Sequence, residues 1–347
     1  MSDLKEEEDR SESPVRPKRK PPVLRDDPGP SDTKINDKVL TAEKHKKYDS
    51  EVKLELKAKM PEDDKKAPLS FLPELTTDSS YRFRCPGPGV FQCALTRLVF
   101  GMAQEAELLY RTVLWDESLL QSAGKTAAGM LFKIKCSEDA VCQLHLPHCE
   151  TKDALLVDGP LSAVHIADDG MSVLEPLEIT DTHVVVKVPQ LSAFGLVWDT
   201  AKRFLNTSPP VNGQVLLFHR PPHTSHQVLD VCLLQNNIPV REVTIQQAGA
   251  ELIRMSSDCH LRFGKSYSVF CEPEDFTIQP ERAPFYPKYG PNFHPTFEVF
   301  LTTNPQKVTL KVQDQERKEV WKRDVYLTGP TREIPQRKRE SRQTTEH

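Results

Sequence analysis

Long apolar runs are missing from this 347-residue chain. None approaches the roughly eighteen residues that a membrane-spanning helix needs, and no signal-peptide core follows the first methionine. Cysteine is too sparse, at eight residues, for a disulfide scaffold, so free thiols in a reducing compartment are expected. There is no GxxxxGK[ST] loop, which excludes ATP binding and hydrolysis by that route. No internal repeat appears, which argues against a solenoid scaffold. The net charge of −4 is small and favours neither nucleic acid nor an anionic membrane. Glycine is modest at 14 while proline reaches 29, a balance that suits edge strands and irregular loops better than Gly-rich hairpins. A cytosolic protein is the default expectation.

What is present divides unevenly along the chain. The first 66 residues carry 17 Lys/Arg and 17 Asp/Glu, and Tyr48 is their only aromatic residue. So little apolar surface cannot offset the entropy of folding, and residues 1–76 are expected to be disordered. Within them, Arg16 and Lys18-Arg19-Lys20 read as a solvated basic patch or, alternatively, a nuclear-import signal. The tail from Gly329, with Arg337-Lys338-Arg339, reads as a frayed basic end.

From residue 79 the hydrophobic pattern has period two. Phe91–Leu95, Val141–Leu146, His183–Val188, Gly213–Phe218, Tyr267–Phe270, Phe297–Leu301 and Val308–Val312 read as strands. Pro86-Gly87-Pro88-Gly89, Asp158-Gly159-Pro160 and Asp168-Asp169-Gly170 punctuate them as turns. Short strands with such spacing predict an all-β protein of two consecutive β-sandwiches. Two brief helices are expected, one within Val240–Ile253 and one near Trp198–Leu205. Pro284–Pro291 reads as a crossover loop packing its rings on a sheet, or as a contact patch. The loop Arg220–His226 holds His223 and His226, read as incidental rather than as a pH or metal site. Cys142, His145, His148 and Cys149 invite a zinc reading, but strand alternation would put Cys142 and His145 on opposite faces. No metal and no cofactor is expected.

One stretch carries chemistry. In Lys187-Val188-Pro189-Gln190-Leu191-Ser192-Ala193-Phe194-Gly195, Pro189 cannot continue a strand ladder, Ser192 and Ala193 are small, and Gly195 permits a positive φ. His165 lies 27 residues before Ser192, flanked by apolar residues. A hydroxyl, an imidazole and a tense turn are what an N→O acyl shift at Leu191–Ser192 requires.

The ordered series Tyr81–Cys93, Gln143-Leu144-His145-Leu146-Pro147-His148, Val164-His165, Asp169-Gly170-Met171 and Leu191–Gly195 resembles the FIIND ("function-to-find") module of inflammasome sensors that carry a C-terminal CARD. The resemblance covers residues 79 to 328. It implies a first sandwich like those of ankyrins and netrin receptors, at 77–196, and a UPA sandwich at 197–328, with tails at 1–76 and 329–347. It also implies self-cleavage between Leu191 and Ser192, with Ser192 as nucleophile, His165 as base and Asp169 as the acidic residue four positions later. An ordinary Asp-Asp-Gly turn is the alternative reading of Asp169. Two departures stand out. Leu191 and Gln190 replace a phenylalanine and a small residue, and a charged tail of nineteen residues follows where the family attaches a CARD. By resemblance, the cut pieces stay associated until the N-terminal piece is degraded, which frees the UPA piece to self-associate. CARD-bearing relatives and cytosolic dipeptidyl peptidases are the implied partners. The contrasting reading is an uncleaved double-sandwich adaptor, in which His165 is a core histidine and Ser192 a turn residue.

Overall fold

A computed structural model describes residues 67–327 apart from 157–160, 205–208, 221–226, 248, 274–275 and 304. The basic clusters at 16–20 and 337–339, the turn at 158–160 and the loop histidines 223 and 226 lie outside the described residues. Twenty-four strands, numbered in chain order, make four sheets among the described residues.

The first sandwich has two sheets. One runs β1 (Leu69–Phe71), β4 (Gly89–Cys93), β5 (Val99–Met102), β9 (Val141–Pro147), β13 (His183–Lys187), β12 (Pro176–Ile179). The facing sheet runs β11 (Gly170–Leu174), β10 (Leu161–Ala167), β14 (Ala193–Asp199), β8 (Leu131–Cys136), β6 (Ala106–Val113), β3 (Tyr81–Cys85), β2 (Glu74–Leu75), with β7 (Lys125–Ala127) also on β14. The second sandwich pairs β17 (Glu251–Ile253), β15 (Val211–Arg220), β16 (Gln227–Gln235), β22 (Phe297–Leu301), β20 (Phe276–Gln279) and β18 (Asp258–Leu261) in one sheet. Its other sheet orders β21 (Ala283–Pro284), β19 (Ser266–Glu272), β23 (Lys307–Asp314), β24 (Glu319–Tyr326). Helices are short: α1 (Glu117–Ser122), α2 (Lys152–Leu155), α3 (Thr200–Phe204) and α4 (Val240–Thr244).

On two of the strands read from sequence the alternation is also that of burial: on β22, Phe297, Val299 and Leu301 are sealed inside, and on β23, Val308, Leu310 and Val312 point in. Such a face removes apolar surface from water at about 25 cal/mol per Å². All eight cysteines are free thiols, six of them buried.

Two expectations need correction. Residues 67–76, expected to be disordered, are ordered instead: β1 pairs in parallel with β4, and Phe71 stacks on Phe83 at 3.7 Å. Of the apolar residues in that stretch, Phe71 is the one that reaches the core, while Leu69 and Leu75 stay exposed. The brief helix expected within Val240–Ile253 is α4, which stops at Thr244. Leu252 and Ile253 join β15 as a strand instead, beyond Gly249 with its φ of +79°. The boundary at 196/197 falls inside β14, which runs unbroken to Asp199 in the first sandwich. The Pro284–Pro291 loop does pack its rings: Phe285 stacks on Phe263 and Tyr289 is buried, leaving Tyr286 exposed.

Candidate functional site

β10 and β14 are antiparallel neighbours, and their register decides the site. His165 sits opposite Phe194, and the chain just ahead of Ala193 bends back beside the far end of β10. Residues 192 and 194 share a face, so Ser192 is carried to the same side as His165. Ser192 Oγ lies 2.7 Å from His165 Nε2 and 2.5 Å from the Ile166 carbonyl oxygen. The Ile134 amide donates to the Ser192 carbonyl at 2.8 Å, fixing the serine's backbone against β8.

His165 is 8% exposed, and its ring lies 4.8 Å from that of the fully buried Phe194, tilted by 38°. Leu191 is half-buried and packs against the core. Ser192 and His165 are therefore brought together as the sequence predicts. Asp169 is not brought to them in the same way. It stands with Asp168 in the two-residue turn of the β10–β11 hairpin, exposed, and no hydrogen bond joins it to His165 among the described residues.

Gly195 has a different role from the one its position suggested. It is not among the residues with positive φ; it lies in regular register opposite Val164. A Cβ there would meet the Trp115 ring at 2.5 Å, so glycine is required by that close approach. Trp115 in turn donates its indole N–H to the Gly129 carbonyl at 2.9 Å. Pro189 to Ala193 likewise contain no left-handed residue and no cis peptide.

A hydroxyl has one proton to donate. If it goes to the Ile166 carbonyl, Nε2 of His165 must itself carry a proton and donate to Oγ. If it goes to Nε2, the imidazole is the base that a nucleophilic serine needs. The site thus admits two hydrogen-bond arrangements that differ by the imidazole tautomer, and in one of them Nε2 accepts the hydroxyl proton.

A second cluster joins the chain on either side of Leu191–Ser192. Glu150 accepts from the Trp198 indole at 2.5 Å and lies 3.4 Å from the Arg203 guanidinium, with both charged side chains almost wholly buried. Burial raises the Glu150 carboxyl above its ordinary range, against the opposing pull of Arg203 and Trp198. The guanidinium sits 5.3 Å over Trp198 and 5.4 Å over Phe263. Asn237 donates to the Ala128 carbonyl at 2.9 Å, and Tyr81 and Thr112 both donate to Glu242. Phe194, the Ile166 carbonyl, Trp115 and this ion pair escaped the sequence reading. Only Phe194 left a signal there, its parity with Ser192.

No described helix is long and apolar enough to cross a membrane, and no group of three or more His, Cys, Asp or Glu among the described residues is placed to hold a metal ion.

Residues 74–204 match the family described as "Function to find", FIIND, and residues 211–325 match the UPA-FIIND domain. The chain belongs to the FIIND family. It is similar to the mouse NACHT, LRR and PYD domains-containing protein 1b allele 1, 22% identical over 254 residues, which are 70% of this chain and 20% of that protein. It is also 28% identical over 122 residues to mouse NACHT, LRR and PYD domains-containing protein 1a, and 29% identical over 121 residues to the rat 1a allele 1 protein. Each of those matches covers 34% of this chain and 10% of the relative. The chain therefore spans about a fifth of the mouse 1b protein's length or less.

Proposed function

We propose that this FIIND chain is a self-cleaving regulatory module of innate-immune inflammasome and cell-death signalling, cut once between Leu191 and Ser192. The observation that carries the reading is the 2.7 Å contact between Ser192 Oγ and His165 Nε2, immediately after the peptide to be broken. Oγ attacks the Leu191 carbonyl carbon and passes its proton to Nε2. That proton then goes to the Ser192 amide nitrogen as the C–N bond breaks, leaving Leu191 esterified to Oγ with a free α-amine on Ser192. Water adds to the ester carbonyl, releasing the Leu191 carboxylate and restoring the hydroxyl. This is one turnover on the chain itself, and general-base help of this kind is worth about 10²–10⁴-fold in rate.

After such a cut the C-terminal piece would begin at Ser192 and would still own β14. That strand lies between β10 and β8, both belonging to the other piece, and Phe194, Leu196 and Trp198 are buried on it. The Glu150–Arg203 pair crosses the same seam. The two pieces then hold together without a peptide bond. Degradation of the N-terminal piece frees the UPA piece to self-associate or to enter assemblies of CARD-bearing relatives, with cytosolic dipeptidyl peptidases as restraining partners. The setting is the cytoplasm. Asp169 acts, if the hairpin tip bends inward, to hold the imidazolium.

The competing short contact between Ser192 Oγ and the Ile166 carbonyl favours a second reading, an uncleaved double-sandwich adaptor. Denaturing gel and intact-mass analysis of wild type, Ser192→Ala and His165→Ala separate the two. Two fragments in wild type only, with a new N-terminus at Ser192, support self-cleavage. A single uncut chain in all three sinks it.

A further inference from the structure

The outer face of the β3–β6–β8 part of the first sandwich concentrates one sign of charge. Arg82 and Arg84 on β3, Arg111 on β6, and Lys133 and Lys135 on β8 are all exposed, while Tyr81, Tyr110 and Ile134 on the same strands point into the core. Arg82 and Arg84 share Glu107, at 3.7 and 3.4 Å. Arg111, Lys133 and Lys135 are in no ion pair among the described residues. The nearby carboxylate of Asp78 is taken up by the hydroxyls of Thr76 and Ser80.

The register makes this arrangement costly. Arg111 stands directly opposite Lys133 across the β6–β8 ladder. Like charges at directly paired positions destabilise a sheet, so the pair works against the fold unless an anion neutralises it. A depression of about 140 Å³ opens between Asp78, Leu109, Arg111, Lys133 and Lys135. The chain as a whole is net negative, at −4, so this face is not a reflection of general basicity.

We infer that this face docks an extended acidic segment of a partner protein, its carboxylates seated on Arg111, Lys133 and Lys135. Lys133 and Lys135 are two residues apart on one strand, about 7 Å, which is the spacing of alternate side chains along an extended peptide. Leu109 is the one aliphatic residue that lines the depression, and Ala193 is paired to Lys133 at its side. None of the outward residues on this face is an aromatic platform of the kind on which single-stranded nucleic acid stacks. Because Lys133 borders Ala193, a docked segment would lie across the line where β8 meets the first residues after Ser192. The inference does not depend on whether Leu191–Ser192 is cut.

The test uses the full chain carrying Ser192→Ala, so that cleavage cannot alter the surface. Fluorescence anisotropy is read with a labelled Glu-Val-Glu-Val-Glu-Val-Glu peptide. Binding should weaken about tenfold when Lys133→Glu and Lys135→Glu are combined, and should also weaken with added salt over a range where the Debye length shrinks. Both lysines are exposed, so a melting temperature no lower than that of the parent chain shows that the double variant is folded. No peptide binding, or binding indifferent to the two substitutions, overturns the proposal. So does tighter binding of an oligothymidylate of the same length. If Glu6→Gln, Glu7→Gln, Glu8→Gln and Asp9→Asn together raise the peptide's affinity, the chain's own acidic run is the occupant and the partner assignment fails.

Discussion

Two groups of histidines occupy the first sandwich, and they are used in opposite ways. His183 donates through Nε2 to the Arg97 carbonyl at 2.9 Å, which leaves Nδ1 to accept from the Thr182 hydroxyl at 2.8 Å. His148 takes the Glu150 amide N–H on Nδ1 at 3.1 Å, which leaves Nε2 to donate to the Thr180 carbonyl at 2.9 Å. Both ring nitrogens of each are committed to neighbours, mostly backbone. Burial pushes His183 down to about 4, the carbonyl of Arg97 opposing and the Arg97 charge, His145 and His148 adding. His165 differs in its partner. Its Nε2 faces a hydroxyl whose next chain atom bears a peptide bond. An imidazole tied to carbonyls fastens strands together; one tied to a serine has a proton to move.

The largest break in this contrast comes from His165→Gln. Glutamine keeps the hydrogen-bonding length but cannot act as a base near neutrality. Cleavage measured by gel densitometry should slow about 10²–10⁴-fold. Stability in urea should move little, since His165 makes no backbone-fastening bond of the kind His183 makes. Wild-type cleavage in the variant would remove His165 from the chemistry.

Acid should act on the other group. Unfolded His183 titrates near 6.5 and folded His183 near 4. Between those values the unfolded chain binds more protons, so this residue's contribution is complete above about pH 6.5 and is lost as pH falls toward 4. The full loss is at most about 3 kcal/mol. His145 and His148, both also held below their ordinary value by burial, push in the same direction. Urea midpoints between pH 7 and 4.5 check this, and a flat profile would count against the buried cluster.

His183→Gln at neutral pH sharpens the comparison further. It disturbs the bond to the Arg97 carbonyl and should cost about 1–3 kcal/mol, the price of a poorly satisfied buried acceptor. The pH slope should flatten. Cleavage under native conditions should keep its wild-type rate, because the cluster and the serine sit on different sheets. A parallel fall in cleavage would show that the two sets of histidines are coupled.

Sequence made one of these roles legible and hid the other. Strand identity could be read because burial on β19, β22 and β23 follows a period of two that local residues declare. Ser192 and His165 could be paired only through the series of motifs that resembles the FIIND family, since a serine and a histidine at such a distance are common in any chain. The order of β1 and β2 was missed because charge in the preceding 66 residues dominated the composition, whereas Phe71 finds its stacking partner only when β1 meets β4. Trp115 against Gly195, and Glu150 against Arg203, join residues far apart in the chain, and no local pattern encodes such a meeting. Phe194 is the intermediate case. Its parity with Ser192 was visible, but its ring contact with His165 depended on the β10–β14 register.

The smallest effect is expected at Asp169, and it bears on how His165 is held. In an acid–imidazole–hydroxyl arrangement the acid fixes the tautomer, and its loss is severe. Here the carboxylate stands exposed at a hairpin tip, four residues beyond the imidazole along the strand, and the buried Phe194 ring is what packs against His165. Asp169→Asn should therefore slow cleavage by less than about threefold, a change that corresponds to well under 1 kcal/mol. Phe194→Leu, which preserves an apolar side chain while removing the flat contact, should slow it more than Asp169→Asn does. If the ranking is reversed, the hairpin bends inward during the reaction, and the acid rather than the phenyl ring orients the base.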